Sequence, residues 1–268
     1  MIELNDLLVK AGLDSRRVMV MRHRPTEKAL RLALPTLAAE REDIYNAYQC
    51  QHGLRVEDAL AKAGHLVSFI GHEAGRAMFI GTYEVAGAKR ISTEEYWRMP
   101  GNAELKMLGT RGPAAGRFPL WFDLRLMPEL SELKGRLVVQ WPGIERSWWR
   151  WASRNHFLVE AIHEESRLIR PLPAWSELVL SWNELKLLPV SWRHALSQWR
   201  GVYYIFDAAL KQGYVGSASG PDNIIGRWSD YAARGHGGNR LLRKCDPENF
   251  MFSILELVAP SMPTAEVV

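Results

Sequence analysis

From Gly201 to Ser217 the chain reads GVYYIFDAALKQGYVGS, two aromatic and β-branched runs bracketed by glycine and separated by about seven residues. Such runs favour extended backbone, and a gap this short brings them side by side as an antiparallel pair. A helix is expected next, from Asn223 to Ala233, with Arg227 and Tyr231 four apart and therefore on one face. Three phenols, Tyr203, Tyr214 and Tyr231, would then stand near one guanidinium. That combination suits a phosphate diester, because the arginine fork binds two oxygens while phenols donate hydrogen bonds. Gly216, Ser217, Ala218 and Gly220 read as a small-residue loop where backbone can approach a phosphate closely.

The rest of the chain has room for a second domain, since 268 residues suffice for two of ordinary size. Residues 1–64 read as helical. Leu30, Leu34 and Leu37 recur at helical spacing after Pro25-Thr26, and a second stripe of Val56, Leu60 and Ala63 stops at Gly64. The pattern then changes to strands. Leu66–Gly71 and Ala77–Val85 flank a turn at His72–Gly75, residues 118–126 alternate, and Leu137–Trp141 ends at Pro142-Gly143. A mostly antiparallel, barrel-like sheet behind a helical start follows from this. Pro171, Pro173 and Pro189 leave little room for long helix, and Ser191 would cap a short helix to Trp199. The expectation is an α+β protein with a boundary near residue 195, giving domains 1–195 and 196–268.

Charge places any polyanion contact in the first domain. Residues 201–268 hold six Lys/Arg and seven Asp/Glu, which leaves 28 basic and 23 acidic side chains in the first 200 of totals of 34 and 30. The N-terminus lacks a signal-peptide pattern and no run reaches ~18 apolar residues, so a cytoplasmic location is expected. Cys50 and Cys245 match no zinc or redox spacing and read as reduced thiols.

Taken in order, Gly201-Val202-Tyr203, Tyr214-Val215-Gly216-Ser217, Gly226-Arg227-Trp228 with Tyr231, His236-Gly237-Gly238-Asn239 and the strand Phe250–Leu255 resemble the GIY-YIG nuclease superfamily. The resemblance covers about 68 residues, a quarter of the chain. It implies an antiparallel sheet with flanking helices and a metal-dependent endonuclease that hydrolyses phosphodiester bonds. On it, Tyr203, Tyr214 and Arg227 surround the scissile phosphate, and Tyr203 is the general base or the partner of the base. A phenol titrates near ~10, so this role needs a neighbouring cation. Tyr231 holds phosphate or water, and His236, in a glycine-flanked loop, contacts phosphate or assists proton transfer. Asn239 would cap a helix over Arg240–Lys244. The implied cofactor is Mg²⁺ or Mn²⁺, held by a glutamate on a helix after Phe250–Leu255. That helix begins only at Thr264, so the glutamate is expected beyond Val268 and the domain to be incomplete, with Glu266 the weaker candidate and Glu256 closing the strand.

In the first domain, Trp148, Trp149 and Trp151 interleave with Arg146, Arg150 and Arg154. Aromatic faces among arginines suit bases stacked along a phosphate backbone, and the same tryptophans suit the interior of a barrel; alternation would send Trp148 and Trp149 to opposite faces of a strand, leaving at least one as a surface candidate. Phe69–Gly71 with Gly75–Tyr83 resembles PUA-like modules, which implies reading of RNA or of a flipped modified base. The combined expectation is a DNA-directed nuclease, with modification-dependent restriction as its biological setting. The alternatives are nucleic-acid binding without cleavage, and RNA as the substrate.

Overall fold

The computed structural model describes residues 2–143, 147–220, 222–237, 240–259 and 261–267. The chain divides into two compact units, Met1–Ile169 and Arg170–Val268.

The first unit runs α1 (Leu4–Lys10), β1 (Val18–His23), α2 (Lys28–Glu40), α3 (Glu42–Gln49), α4 (Leu54–Leu60), β2 (His65–Gly71), β3 (Arg76–Arg90), α5 (Thr93–Arg98), α6 (Asn102–Met107), β4 (Leu120–Leu126), β5 (Leu137–Gln140), β6 (Trp149–Trp151) and β7 (Val159–Ile162). Its strands form one curled mixed sheet in the order β6-β1-β2-β3-β5-β7, with β4 also pairing with β3. The curl follows from β3, which pairs with β5 through its first residues and with β4 through its last, and from three register shifts in the ladders. Each shift adds local twist and bends the strand.

The helical reading of residues 1–64 missed β1. This strand lies inside the sheet, parallel to β2, so one parallel pair interrupts a sheet whose other pairings are antiparallel, as expected. Every residue of β1 is buried. Val18 and Val20 enter one apolar cluster with Leu4, Leu8, Val67 and Phe69, whereas Met19 and Met21 enter another with Val56, Leu60 and Leu66. A strand covered on both faces has no alternation to read. The helices α2, α3 and α4 form the crossover that a parallel pair requires. Leu30, Leu34 and Leu37 are buried as their spacing predicts, each stabilising by roughly 1.5–3 kcal/mol.

The second unit runs β8 (Val179–Ser181), α7 (Trp182–Lys186), α8 (Val190–Gln198), β9 (Arg200–Asp207), β10 (Gln212–Ala218), α9 (Asn223–Arg234), β11 (Phe250–Val258) and α10 (Thr264–Val267). Its four strands are antiparallel in the order β10-β9-β11-β8. The unit therefore starts about 25 residues before the boundary expected near 195, because β8 pairs with β11 and Leu178, Leu180, Trp182, Leu185 and Leu188 fill its core. Ser191 is not a cap: α8 starts at Val190 on Pro189, and the serine that caps a helix here is Ser181, in a capping box with Glu184. Gly216, Ser217 and Ala218 lie in β10, not in a loop. No helix among the described residues is long and apolar enough to cross a membrane.

Candidate active site

The strand pair β9–β10 and the helix α9 build the site within the second unit. The ladder sets Tyr203 opposite Gly216 and Ile205 opposite Tyr214, so both tyrosines of the sequence motifs stand on adjacent strands. Side chains of β9 alternate between buried and half-buried, and Tyr203 is on the buried face with no solvent exposure. Its ring reaches across Gly216. A Cβ at that position would come within 2.5 Å of the Tyr203 Oη and 2.9 Å of the Tyr214 ring. Glycine is required at 216 so that two phenols can close over the strand.

Gly201 is constrained from the other side. Its φ of +154 and the backbone of Glu256 beside it leave no room for a side chain, where β11 changes register against β9 between Ile254 and Glu256. At the far end of the hairpin, the buried Asp207 accepts hydrogen bonds from the Ala209 and Leu210 amides at 2.9 and 3.0 Å. This Asx turn closes the β9–β10 connection. Gly201 and Asp207 thus fix the strand that carries Tyr203, and neither was singled out from the sequence for that role.

Helix α9 packs Ile224, Ile225, Trp228 and Tyr231 into the core and leaves Arg227 half-buried beside them. Tyr231 has no solvent exposure, and its Oη lies 3.2 Å from that of Tyr203. The Arg227 Cζ is 6.0 Å from the centroid of the Tyr231 ring, and the guanidinium interacts electrostatically with the Tyr203, Tyr231 and Tyr214 phenols. Burial works to lower the Arg227 pKa, but the Tyr203 phenol and then the other two outweigh it and the net direction is upward. Arg227 therefore stays cationic. Burial, followed by the hydrogen bond with Tyr203, raises the Tyr231 phenol well above its usual range, so Tyr231 is a neutral donor.

Four of the expected residues thus converge: Tyr203, Tyr214, Arg227 and Tyr231. They differ in access. Tyr214 and Arg227 are half-buried, whereas Tyr203 and Tyr231 are closed off. An incoming phosphate would meet the guanidinium and the Tyr214 phenol first, and the Tyr203–Tyr231 pair would support them from behind. Direct phosphate contact by Tyr231, one of its expected roles, has no open path here because its hydroxyl faces Tyr203.

His236 follows the left-handed Gly235 that ends α9. Gly237, at φ +51, packs on the ring of Tyr231, where a Cβ would lie 2.8 Å from Cε1. His236 is half-buried between these two glycines of positive φ. The capping role expected of Asn239 lies outside the described residues. Arg240 precedes a 3₁₀ helix, Leu241–Lys244, where a helix over Arg240–Lys244 was expected.

Phenols and a guanidinium do not fit a hard divalent ion on their own, which wants carboxylate oxygens. Glu256 and Glu266 are both exposed, and no group of three His, Cys, Asp or Glu side chains fit for a metal lies among the described residues.

The aromatic segment of the first unit differs from its expected form. Trp149 and Trp151 lie in β6 against Met21 and Met19, and Trp148 precedes the strand. All three are half-buried and pack against the same apolar cluster, so Trp148 and Trp149 are not sent to opposite faces. The alternation rule does not reach Trp148, which sits outside the ladder with its ring 5.7 Å from that of His52. Arg150 donates to the Asn155 Oδ1 at 3.2 Å. Arg146 lies outside the described residues. No family model, curated protein or solved structure matches the chain.

Proposed function

We propose that the second unit is a phosphodiester-hydrolysing nuclease site of the GIY-YIG kind and that its substrate is DNA. The observation that carries this reading is the meeting of the Arg227 guanidinium with the Tyr203 and Tyr231 hydroxyls, 3.2 Å apart, beside Tyr214. A single permanent cation among hydroxyl donors is what a phosphoryl group needs as its charge grows toward the transition state. Arg227 holds two non-bridging oxygens and Tyr214 donates to the phosphate, while Tyr203, closed off from solvent and fixed by Tyr231, holds the guanidinium in place from behind and is a positioning residue, not the base that the resemblance implied. In the reaction the water oxygen bonds to phosphorus and the bond to the departing oxygen breaks; the attacking water gives its proton to solvent and the departing oxygen takes one from solvent, at the open side of the site where Tyr214 and Arg227 stand. The family resemblance implies Mg²⁺ or Mn²⁺, but the side chains of this site do not supply a ligand set, so no step here is routed through a metal.

The test is incubation of the full chain with supercoiled plasmid, and with matched DNA and RNA oligonucleotides, in the presence of Mg²⁺ or Mn²⁺. Nicked or linear plasmid and shortened DNA are expected. Cleavage confined to RNA would replace the substrate. Intact plasmid and oligonucleotides, with binding retained, would reduce the protein to a nucleic-acid-binding module.

A further inference from the structure

The first unit carries a concave basic surface that shares only Trp151 and Arg154 with the residues described above. It is a hollow of about 740 Å³ built from three separate stretches of chain. Helix α4 and the turn after it contribute Arg55, Asp58 and Lys62; the turn before β1 contributes Arg16; and the end of β6 with the turn after it contributes Trp151 and Arg154. Four cations thus face one carboxylate. Arg16 shares its charge with Asp14 at 2.9 Å, whereas Arg55, Lys62 and Arg154 are exposed and form no ion pair among the described residues. Trp151 differs from them in being half-buried, anchored by its pairing with Met19 and by packing on the core.

We propose that this hollow holds a single-stranded segment of nucleic acid, with its phosphates on Arg55, Lys62 and Arg154 and an unpaired base against Trp151. The choice of polyanion rests on the nuclease reading of the second unit; the choice of a single strand rests on the hollow itself. Exposed cations lining one hollow favour a polyanion, since each phosphate they neutralise releases a counterion. An acidic peptide would satisfy the cations but leave the indole without a partner, whereas every base has a face to stack on it. The first unit, residues 1–169, carries 24 basic against 21 acidic side chains, an excess that agrees with this location.

The experiment is fluorescence anisotropy of the full chain with labelled 20-nucleotide oligo(dT) and oligo(U), run in EDTA across a salt series. The two arms identify which backbone is held. Neutralising the exposed pair, Arg55→Gln with Lys62→Gln, keeps good helix formers on α4 and should lower the slope of log affinity against log salt by about 1.4, at ~0.7 per phosphate contact on a single strand. Trp151→Ala should weaken single-strand binding by about tenfold and leave binding of a blunt duplex unchanged. An unaltered salt slope in the double variant overturns the proposal, as does polyglutamate competing as well as the oligonucleotide at equal charge. Cleavage takes no part in this measurement. An unaltered slope with plasmid cutting intact removes the hollow and leaves the nuclease site; a falling slope in a chain that never cuts does the reverse.

Discussion

Gly216 shows how one absent side chain organises the candidate site. Its Cα lies under the Tyr203 phenol and against the Tyr214 ring, so an added methyl must displace one of them. Gly216→Ala should cost about 1–3 kcal/mol by overpacking and move the hydroxyl that Arg227 and Tyr231 share. At Gly220 a Cβ meets nothing within 4 Å, and Gly220→Ala should leave stability near wild type. Thermal melts of the two variants check this, and equal melting temperatures would contradict it. Residue identities at the site were legible in the sequence because motif spacing is local: strand, turn and helix place Tyr203, Tyr214, Arg227 and Tyr231 with few alternatives. Their exposure was not legible. Nothing in the order of residues says that Tyr203 and Tyr231 face each other inside the core, because that depends on Trp228 and Phe252 packing around them.

Among the elements, β1 couples packing to titration. Its last residue, His23, is buried against Tyr45 and Tyr48, and the buried His52 stacks near Trp148. Burial first, and then the charge of His52, pushes His23 down to about 3, and burial pushes His52 down to about 4. In the unfolded chain an imidazole takes its proton near pH 6.5, so below that value the unfolded state binds more protons than the fold. Stability should therefore fall as pH drops from about 6.5 toward 4, by roughly 1.4 kcal/mol per pH unit for each histidine. Urea unfolding at pH 7 and pH 5 measures it. The loss should shrink in His23→Asn/His52→Gln, and an equal loss in both proteins would show that other groups carry it. The element β1 was also the main omission of the sequence reading. Val18–Met21 is a short apolar run without period, and its strand character comes from β2 and β6 on either side. By contrast, α2, β2 and β9 lie within two residues or so of where helical spacing and β-branched and aromatic content put them, whereas α4 stops at Leu60, short of Gly64, and β3 runs on past Val85 to Arg90.

At the scale of the molecule, the units divide at Ile169–Arg170 because a three-residue strand, β8, belongs to the sheet of the second unit. A strand that short carries no sequence signal of its own, and the prolines around it said only that long helix was excluded. A fragment of residues 170–268 should accordingly melt cooperatively, whereas residues 196–268, which lack Leu178, Leu180, Trp182 and Leu185, should not. Circular dichroism melts decide it, and equal cooperativity would restore the boundary near 195. The basic hollow was hidden for a related reason, since Arg16, Arg55 and Arg154 are brought together only by the sheet. The account as a whole depends on one cation holding one phosphate among phenols. Its most direct test is the single-turnover rate of DNA cleavage by the wild-type chain and by Arg227→Ala, with folding of both confirmed by their melts. Loss of a charge-stabilising donor should slow cleavage by about 10²–10³-fold. Cleavage at the same rate without Arg227 would contradict the account.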